Sequence, residues 1–192
     1  MSKANKSNKA IKYRLYPNDE QKVMFAKTFG CCRFVYNQLL ALQKQRYKDG
    51  ESHLSKLKSN EFATRTLKKD YDFLKEIDKF AVSNAVFHLA DAYDRFFKKQ
   101  NHFPKFKSKR KSKKSYTTNF TNNNILIGKN VIKLPKVGMV KAVIHKLPKD
   151  DWKLKSVTVS QDSVGNYFAS VLFEYEQEDI PSVSKSSTNA IG

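Results

Sequence analysis

The chain has 192 residues, with 37 Lys or Arg against 18 Asp or Glu, a formal net charge of +19. Its 40% hydrophobic content, including 14 Phe and 9 Tyr, supplies a packed core and excludes a disordered polyelectrolyte. No run of about 18 apolar residues occurs, which excludes a membrane-spanning helix, and a positive field of this size favours phosphate backbones as partners, with binding that weakens as salt rises.

In chain order, residues 1–9 are polar and lack the apolar core of a secretory signal. Residues 10–16 alternate Ile11, Tyr13 and Leu15 with Lys12, Arg14 and Tyr16, the pattern of a half-buried strand with a basic outer edge. Asn18 with Gln21 resembles a capping box and starts a helix carrying Val23, Met24, Ala26 and Phe29. Gly30 is a natural helix stop, so a second helix is predicted over 33–48, with Phe34, Val35, Leu39, Leu42 and Tyr47 as its buried face. The pair looks like a helix-turn-helix whose second member presents Arg33, Asn37 and Gln38. Adjacent Cys31 and Cys32 suit neither an ordinary disulfide nor a metal site, so a reducing, cytoplasmic setting is expected.

Residues 54–69 read as a polar helix with Leu57, Phe62 and Leu67, and 71–77 as an apolar connector. Asp78 is the expected N-cap of a helix that runs to near Gln100. Val82, Ala85, Val86, Leu89, Tyr93, Phe96 and Phe97 have the spacing of one buried face. Pro104 rules out continuation of that helix. A strap follows in which Phe103, Phe106 and Tyr116 are interleaved with Lys105, Lys107, Lys109, Arg110, Lys111, Lys113 and Lys114, a run expected to bind RNA or DNA phosphates.

Residues 119–124 (NFTNNN) are turn-rich. A hairpin is predicted from 125–127 and 131–134 around Gly128-Lys129-Asn130, with further strands over 139–145, 155–160 and 167–174. These make a small antiparallel sheet or barrel. The lone strand at 10–16 needs neighbours, so the residues between are read as a helical insertion, and the Ser-rich run 181–188 as a linker. The carboxylate pairs Asp70/Asp72, Asp91/Asp94 and Asp150/Asp151 have no placed partner, and His53, His88, His102 and His145 are scattered without ligand spacing.

KYRLYP (12–17), GCCRFVYN (30–37), DKFAVSNA (78–85), HFPKFKSKR (102–110), SYTTNFTNNN (115–124) and IKLPKVGMVK (132–141) occur in that order. Together they resemble the N-terminal part of the TnpB (OrfB) proteins encoded by bacterial insertion sequences, over essentially the whole chain. The resemblance implies an α+β fold: a small antiparallel β-barrel, the oligonucleotide-binding-like wedge domain (1–17 and 116–180), with a helical recognition domain (18–115) inserted after its first strand. Residues 181–192 would link to a RuvC-like nuclease domain, which holds Mg²⁺ and usually a zinc ribbon. No catalysis by this chain alone, no metal and no cofactor are therefore expected. The implied partners are a guide RNA from the element end and double-stranded DNA with a short T-rich adjacent motif, met in the bacterial cytoplasm at the nucleoid.

By the same resemblance, Lys79, Phe80, Ser83, Thr121, Asn122 and Ser59 fall at motif-reading positions. Around Ser59 the pattern departs, with Ser55 where an aromatic is expected. Lys79 and Ser83 share a helix face through their i,i+4 spacing, and Phe80 suits contact with a thymine methyl or a base step. Arg14, Arg33, Tyr36 and Asn37 are read as guide-RNA or scaffold contacts. Two other functions stay open: a sequence-specific DNA-binding regulator that uses the early helical hairpin without RNA, and a general basic RNA-binding protein.

Overall fold

The computed structural model describes residues 6–176, so the linker expected over 181–192 lies outside the described residues. Seven strands form one antiparallel sheet: β1 (Lys6–Tyr16), β2 (Lys114–Asn119), β3 (Leu126–Ile127), β4 (Val131–Leu134), β5 (Gly138–Val143), β6 (Lys153–Gln161) and β7 (Tyr167–Glu176). Their order is β2-β6-β7-β1-β5-β4-β3. β1 is central, pairing with β7 from Lys6 opposite Glu176 to Leu15 opposite Tyr167, and with β5 from Arg14 to Tyr16. The predicted alternation holds: Ile11, Tyr13 and Leu15 share a buried face with Val157, Val159, Ala169, Val171, Phe173, Val140 and Ala142. Burial of a large apolar side chain contributes about 1.5–3 kcal/mol, so this face fixes the register.

The expected barrel is not formed. β2 and β3 stand at opposite edges, and no ladder joins them among the described residues. β3 has only two residues, and the open edge of β2 is occupied by a helix. Asn84 Nδ2 donates to Thr117 O at 2.9 Å and to Asn119 Oδ1 at 3.2 Å, so the carbonyl available to a closing strand is already bonded. β2 itself was missed in the sequence, although Tyr116 and Thr118 point inward between exposed or half-buried neighbours.

The helical elements lie between β1 and β2 in the chain. α1 (Asp19–Lys48) opens with the predicted capping box, Asn18 accepting from Gln21 N while Gln21 Oε1 accepts from Asn18 N. It then runs 30 residues straight through Gly30, so the predicted two-helix hairpin at that glycine is corrected to a single helix. Phe25, Phe29, Cys32, Val35, Tyr36, Leu39, Leu40 and Gln43 form one buried stripe across the glycine. Phe25 stacks on Tyr167 of the sheet at 5.4 Å. That stripe outweighs the about 1 kcal/mol by which glycine disfavours a helix interior. It also turns the predicted face: Val23 and Ala26 are exposed, and Tyr47 is 85% exposed. A Cβ at position 30 would meet nothing within 4 Å. Gly30→Ala is therefore expected to raise stability by about 1 kcal/mol, read as a higher thermal midpoint; a lower midpoint would count against the continuous helix.

The predicted helix over 54–69 is α2 (Lys56–Glu61), a π-helical turn (Phe62–Leu67) and α3 (Lys68–Asp70), followed by a 3₁₀ turn (Asp72–Lys75). Ser59, Ala63, Leu67 and Leu74 are buried, whereas Leu57 is exposed. α4 (Lys79–Phe97) packs on α1, α2 and β2 and buries Ala81, Val82, Ala85, Val86, Leu89 and Tyr93. It stops at Phe97, short of Gln100, and leaves Phe97 63% exposed where burial was predicted. Among the described residues no helix is long and apolar enough to cross a membrane.

Candidate nucleic-acid interface

The first turn of α4 is fastened to the sheet by its cap. Buried Asp78 accepts from Ala81 N at 3.3 Å and from Thr118 Oγ1 of β2 at 2.6 Å. With the turn held there, Lys79 is exposed, its Nζ 5.1 Å from the Phe80 ring centre, and Ser83 is half-buried one turn further on. Asn84, next in line, bonds Asn119. Asn124 Nδ2 donates to Asn119 O at 2.9 Å, and Asn124 Oδ1 accepts from Thr121 N at 2.8 Å. The chain Asn84–Asn119–Asn124–Thr121 thus couples the helix turn to the loop that carries the other two predicted residues.

That loop is a tight turn. Asn124 N donates to Thr121 O at 3.0 Å, and Asn122 and Asn123 both have left-handed backbones, φ 47° and 55°. Asparagine tolerates this region better than most residues, which accounts for the asparagine run. The Thr121 hydroxyl and the Asn122 amide have no partner among the described residues. Both are therefore open to an external donor or acceptor.

Two further lysines join this patch that the sequence did not single out. Burial pushes the Lys68 ammonium below its usual range; Asp78 raises it, while Lys79 and Lys136 lower it further. The three cations thus share one field, and Asp78 faces inward onto Thr118. Lys136 stands in the β4–β5 turn with φ 65°, a left-handed backbone that favours glycine. Lys136→Gly is expected to stabilise the fold by up to about 1 kcal/mol. The same change is expected to weaken anion binding, and thermal unfolding with a binding isotherm reads both.

Ser59 does not belong to this surface. It is 5% exposed, on the buried side of α2, and does not face solvent as Lys79 does.

The strap divides into anchors and free cations. Asn37 grips the strap backbone at Lys107, donating from Nδ2 to its carbonyl at 2.9 Å and accepting from its N–H at 2.8 Å. Both polar atoms of its amide are engaged by the strap backbone. The Lys107 ammonium lies 4.0 Å from the Tyr36 ring centre, and burial lowers its pKa. The turn over 108–112 is closed by Ser108 and Ser112, with Lys109, Arg110 and Lys111 exposed on it. Arg33 lines a crevice with Lys113 and Lys114. Among the described residues, Lys105, Lys109, Arg110, Lys111, Lys113 and Arg33 make no ion pair. Lys114 donates to Gln161 at 3.1 Å.

On the outer face of the sheet Arg14 bonds Asn166 Oδ1 and lies 5.0 Å from the Phe168 ring centre, with Lys12 at 4.2 Å from the same ring. Burial pushes the Cys31 thiol up to about 11 and the Cys32 thiol to about 12. Cys32 also donates to Ala81 O at 3.3 Å, so neither thiol is a nucleophile at neutral pH. Among the described residues, no three His, Cys, Asp or Glu side chains form a group that could hold a metal ion.

The chain is thus a mixed α+β scaffold whose unpaired cations flank open polar side chains. Residues 5–52 match a family described as a helix-turn-helix domain (HTH_OrfB_IS605), a span that includes β1 and α1. The chain is 30% identical over 186 residues to a candidate RNA-guided DNA endonuclease of Streptomyces pristinaespiralis, covering 96% of this chain and 45% of that protein. It is 30% identical over 174 residues to InsQ of Escherichia coli K12, also a candidate RNA-guided DNA endonuclease, covering 87% and 40%. It is 32% identical over 111 residues to virulence protein VsdF of Salmonella dublin, covering 53% and 93%. The chain belongs to the TnpB/OrfB family of insertion-sequence proteins, and it spans less than half the length of the two endonuclease relatives.

Proposed function

We propose that this chain is the nucleic-acid-binding module of a TnpB-like RNA-guided DNA endonuclease, holding guide RNA and reading a short T-rich motif in duplex DNA. The carrying observation is the patch at the start of α4, where exposed Lys79 is linked through Asn84, Asn119 and Asn124 to the loop carrying the open side chains of Thr121 and Asn122, with the Lys68 and Lys136 charges near Lys79. Lys79, Phe80, Ser83, Thr121 and Asn122 read base edges, and the two neighbouring lysines hold the flanking phosphates. The strap cations contact RNA or DNA phosphates, and Arg33 and the Arg14 face of the sheet contact RNA backbone. In this reading residues 18–115 are the recognition domain and 1–17 with 116–180 the wedge, although β2 begins at Lys114, inside the first of these.

A regulator built on a hairpin at Gly30 has no such hairpin to use. The test is binding of a randomised duplex library to the 192-residue chain, with and without element-end RNA. The expected result is T-rich enrichment that requires the RNA. Enrichment of one sequence without RNA would sink this reading in favour of an autonomous regulator, and indifference to RNA sequence would favour a general RNA-binding protein.

A further inference from the structure

The C-terminal ends of α1 and α4 meet at a cleft of about 580 Å³ that the functions above leave unused. Its apolar walls are Tyr47, His53, Tyr93, Phe96, Phe97 and Phe103, and among the described residues no aliphatic side chain lines it. The rings pack edge to face, His53 on Tyr93 at 4.5 Å and Phe96 on Phe103 at 5.2 Å. Tyr47 and Phe97 remain largely exposed. Burial pushes the His53 imidazole below its usual range, so at neutral pH it is one more uncharged ring.

The rim is cationic. Lys44 and Lys48 line the cleft, with Lys44 Nζ 4.7 Å from the Phe106 ring centre. Among the described residues that line it, the acidic one, Glu51, is paired with Arg46, and the Asp94 charge acts on His53. Both helices end in the same way. Gly50 N donates to Tyr47 O and Glu51 N to Arg46 O; Lys99 N donates to Phe96 O and Gln100 N to Arg95 O. Each is the double bond pattern whose pivotal residue must be left-handed, and glycine is the usual choice. α1 uses Gly50 at φ 74°, whereas α4 uses Lys99 at φ 56°. A lysine held where glycine is easier keeps a cation two residues after Phe97 against the local backbone preference, as functional sites do.

We propose that this cleft receives an unpaired nucleobase, stacked on Tyr47 and Phe97, with the adjoining phosphates on Lys48, Lys98 and Lys99. A surface for a protein segment is also rich in rings, but it is depleted in lysine, whereas Lys44 and Lys48 line this cleft. Aromatic faces interleaved with lysines instead suit single-stranded nucleic acid, whose bases all offer a π-face. The inference rests on the nucleic-acid reading above but concerns a surface distinct from the α4 N-terminal patch, at the other end of the same helix.

The test titrates the 192-residue chain into short single-stranded RNA and DNA carrying 2-aminopurine, and into the matching duplex. Stacking quenches the fluorophore, and quenching with RNA alone, DNA alone or both identifies the source of the base. Tyr47→Ala with Phe97→Ala should weaken single-strand binding about 10-fold or more while leaving its salt slope and the duplex affinity unchanged. Lys99→Gly should instead flatten the single-strand slope by about 0.7 and raise the thermal midpoint. Binding by the unaltered protein without quenching overturns the cleft assignment alone, as does an equal loss for duplex and single strands in the double variant. An unchanged slope for Lys99→Gly removes its phosphate. If the unaltered protein binds no nucleic acid at all, the proposed function falls, and this inference with it.

Discussion

Asp78→Ala is expected to destabilise the fold by about 2–4 kcal/mol, the largest single-residue effect outside the apolar core. Loss of an N-cap accounts for about 1 kcal/mol. The bond from Thr118 is buried and ends on a carboxylate, a kind worth about 1.5–3 kcal/mol, and its removal leaves the Thr118 hydroxyl buried without a partner. Thr118→Val should be milder, and a double-mutant cycle should return a coupling of at least about 1 kcal/mol. Asp19→Ala is the control: its pair with Lys22 is exposed and should leave stability nearly unchanged. Urea unfolding reads the four variants against the unaltered chain. Equal small losses at both aspartates would show that the cap does not tether α4 to β2.

Binding variants should separate charge from reading. Lys109→Ala, Arg110→Ala and Lys111→Ala together should flatten the plot of log affinity against log salt by about 2.7 on duplex, at about 0.9 per lost phosphate contact. The loss should be the same for every duplex sequence. Lys79→Ala should lower the slope by about one and also relax the preferred motif, because a good base contact is worth about 1–3 kcal/mol of discrimination. Lys107→Ala should leave the slope nearly unchanged and lower stability instead, since that ammonium lies over Tyr36 and its backbone is gripped by Asn37. Motif choice that survives Lys79→Ala, or fails equally in the strap triple variant, would contradict this division.

The strands were legible wherever side chains alternate over a half-buried face, as at Ile11-Tyr13-Leu15 and from Tyr167 to Phe173. The Asp78 cap was legible too, because capping is a local event between residues three apart. Errors came where tertiary contact overruled local preference. Gly30 looked like a stop until the stripe from Phe25 to Gln43 ran across it. Tyr47, Leu57 and Phe97 looked buried because periodicity finds a helical face but not its end, and at these places the neighbouring elements stop. β2 was hidden by the lysines before it and the asparagines after it. Within the site, the Lys79 turn and the 121–124 loop were each placed in the chain, but their meeting depends on Asn84 and Asn119. Lys68 and Lys136 left no local mark, since only the folded chain brings them to Lys79.

The central position of β1 has a consequence for synthesis on the ribosome. Neither neighbour exists when β1 emerges: β5 begins about 120 residues later and β7 later still. At roughly 5–20 residues per second, β1 waits roughly 6–25 s for its first partner. During that interval α1 and α4 can pair with each other, while both hydrogen-bonding edges of β1 stay open. The Lys and Asn residues at its start, and the Lys and Arg between its apolar positions, are then the features that keep two nascent copies from pairing edge to edge.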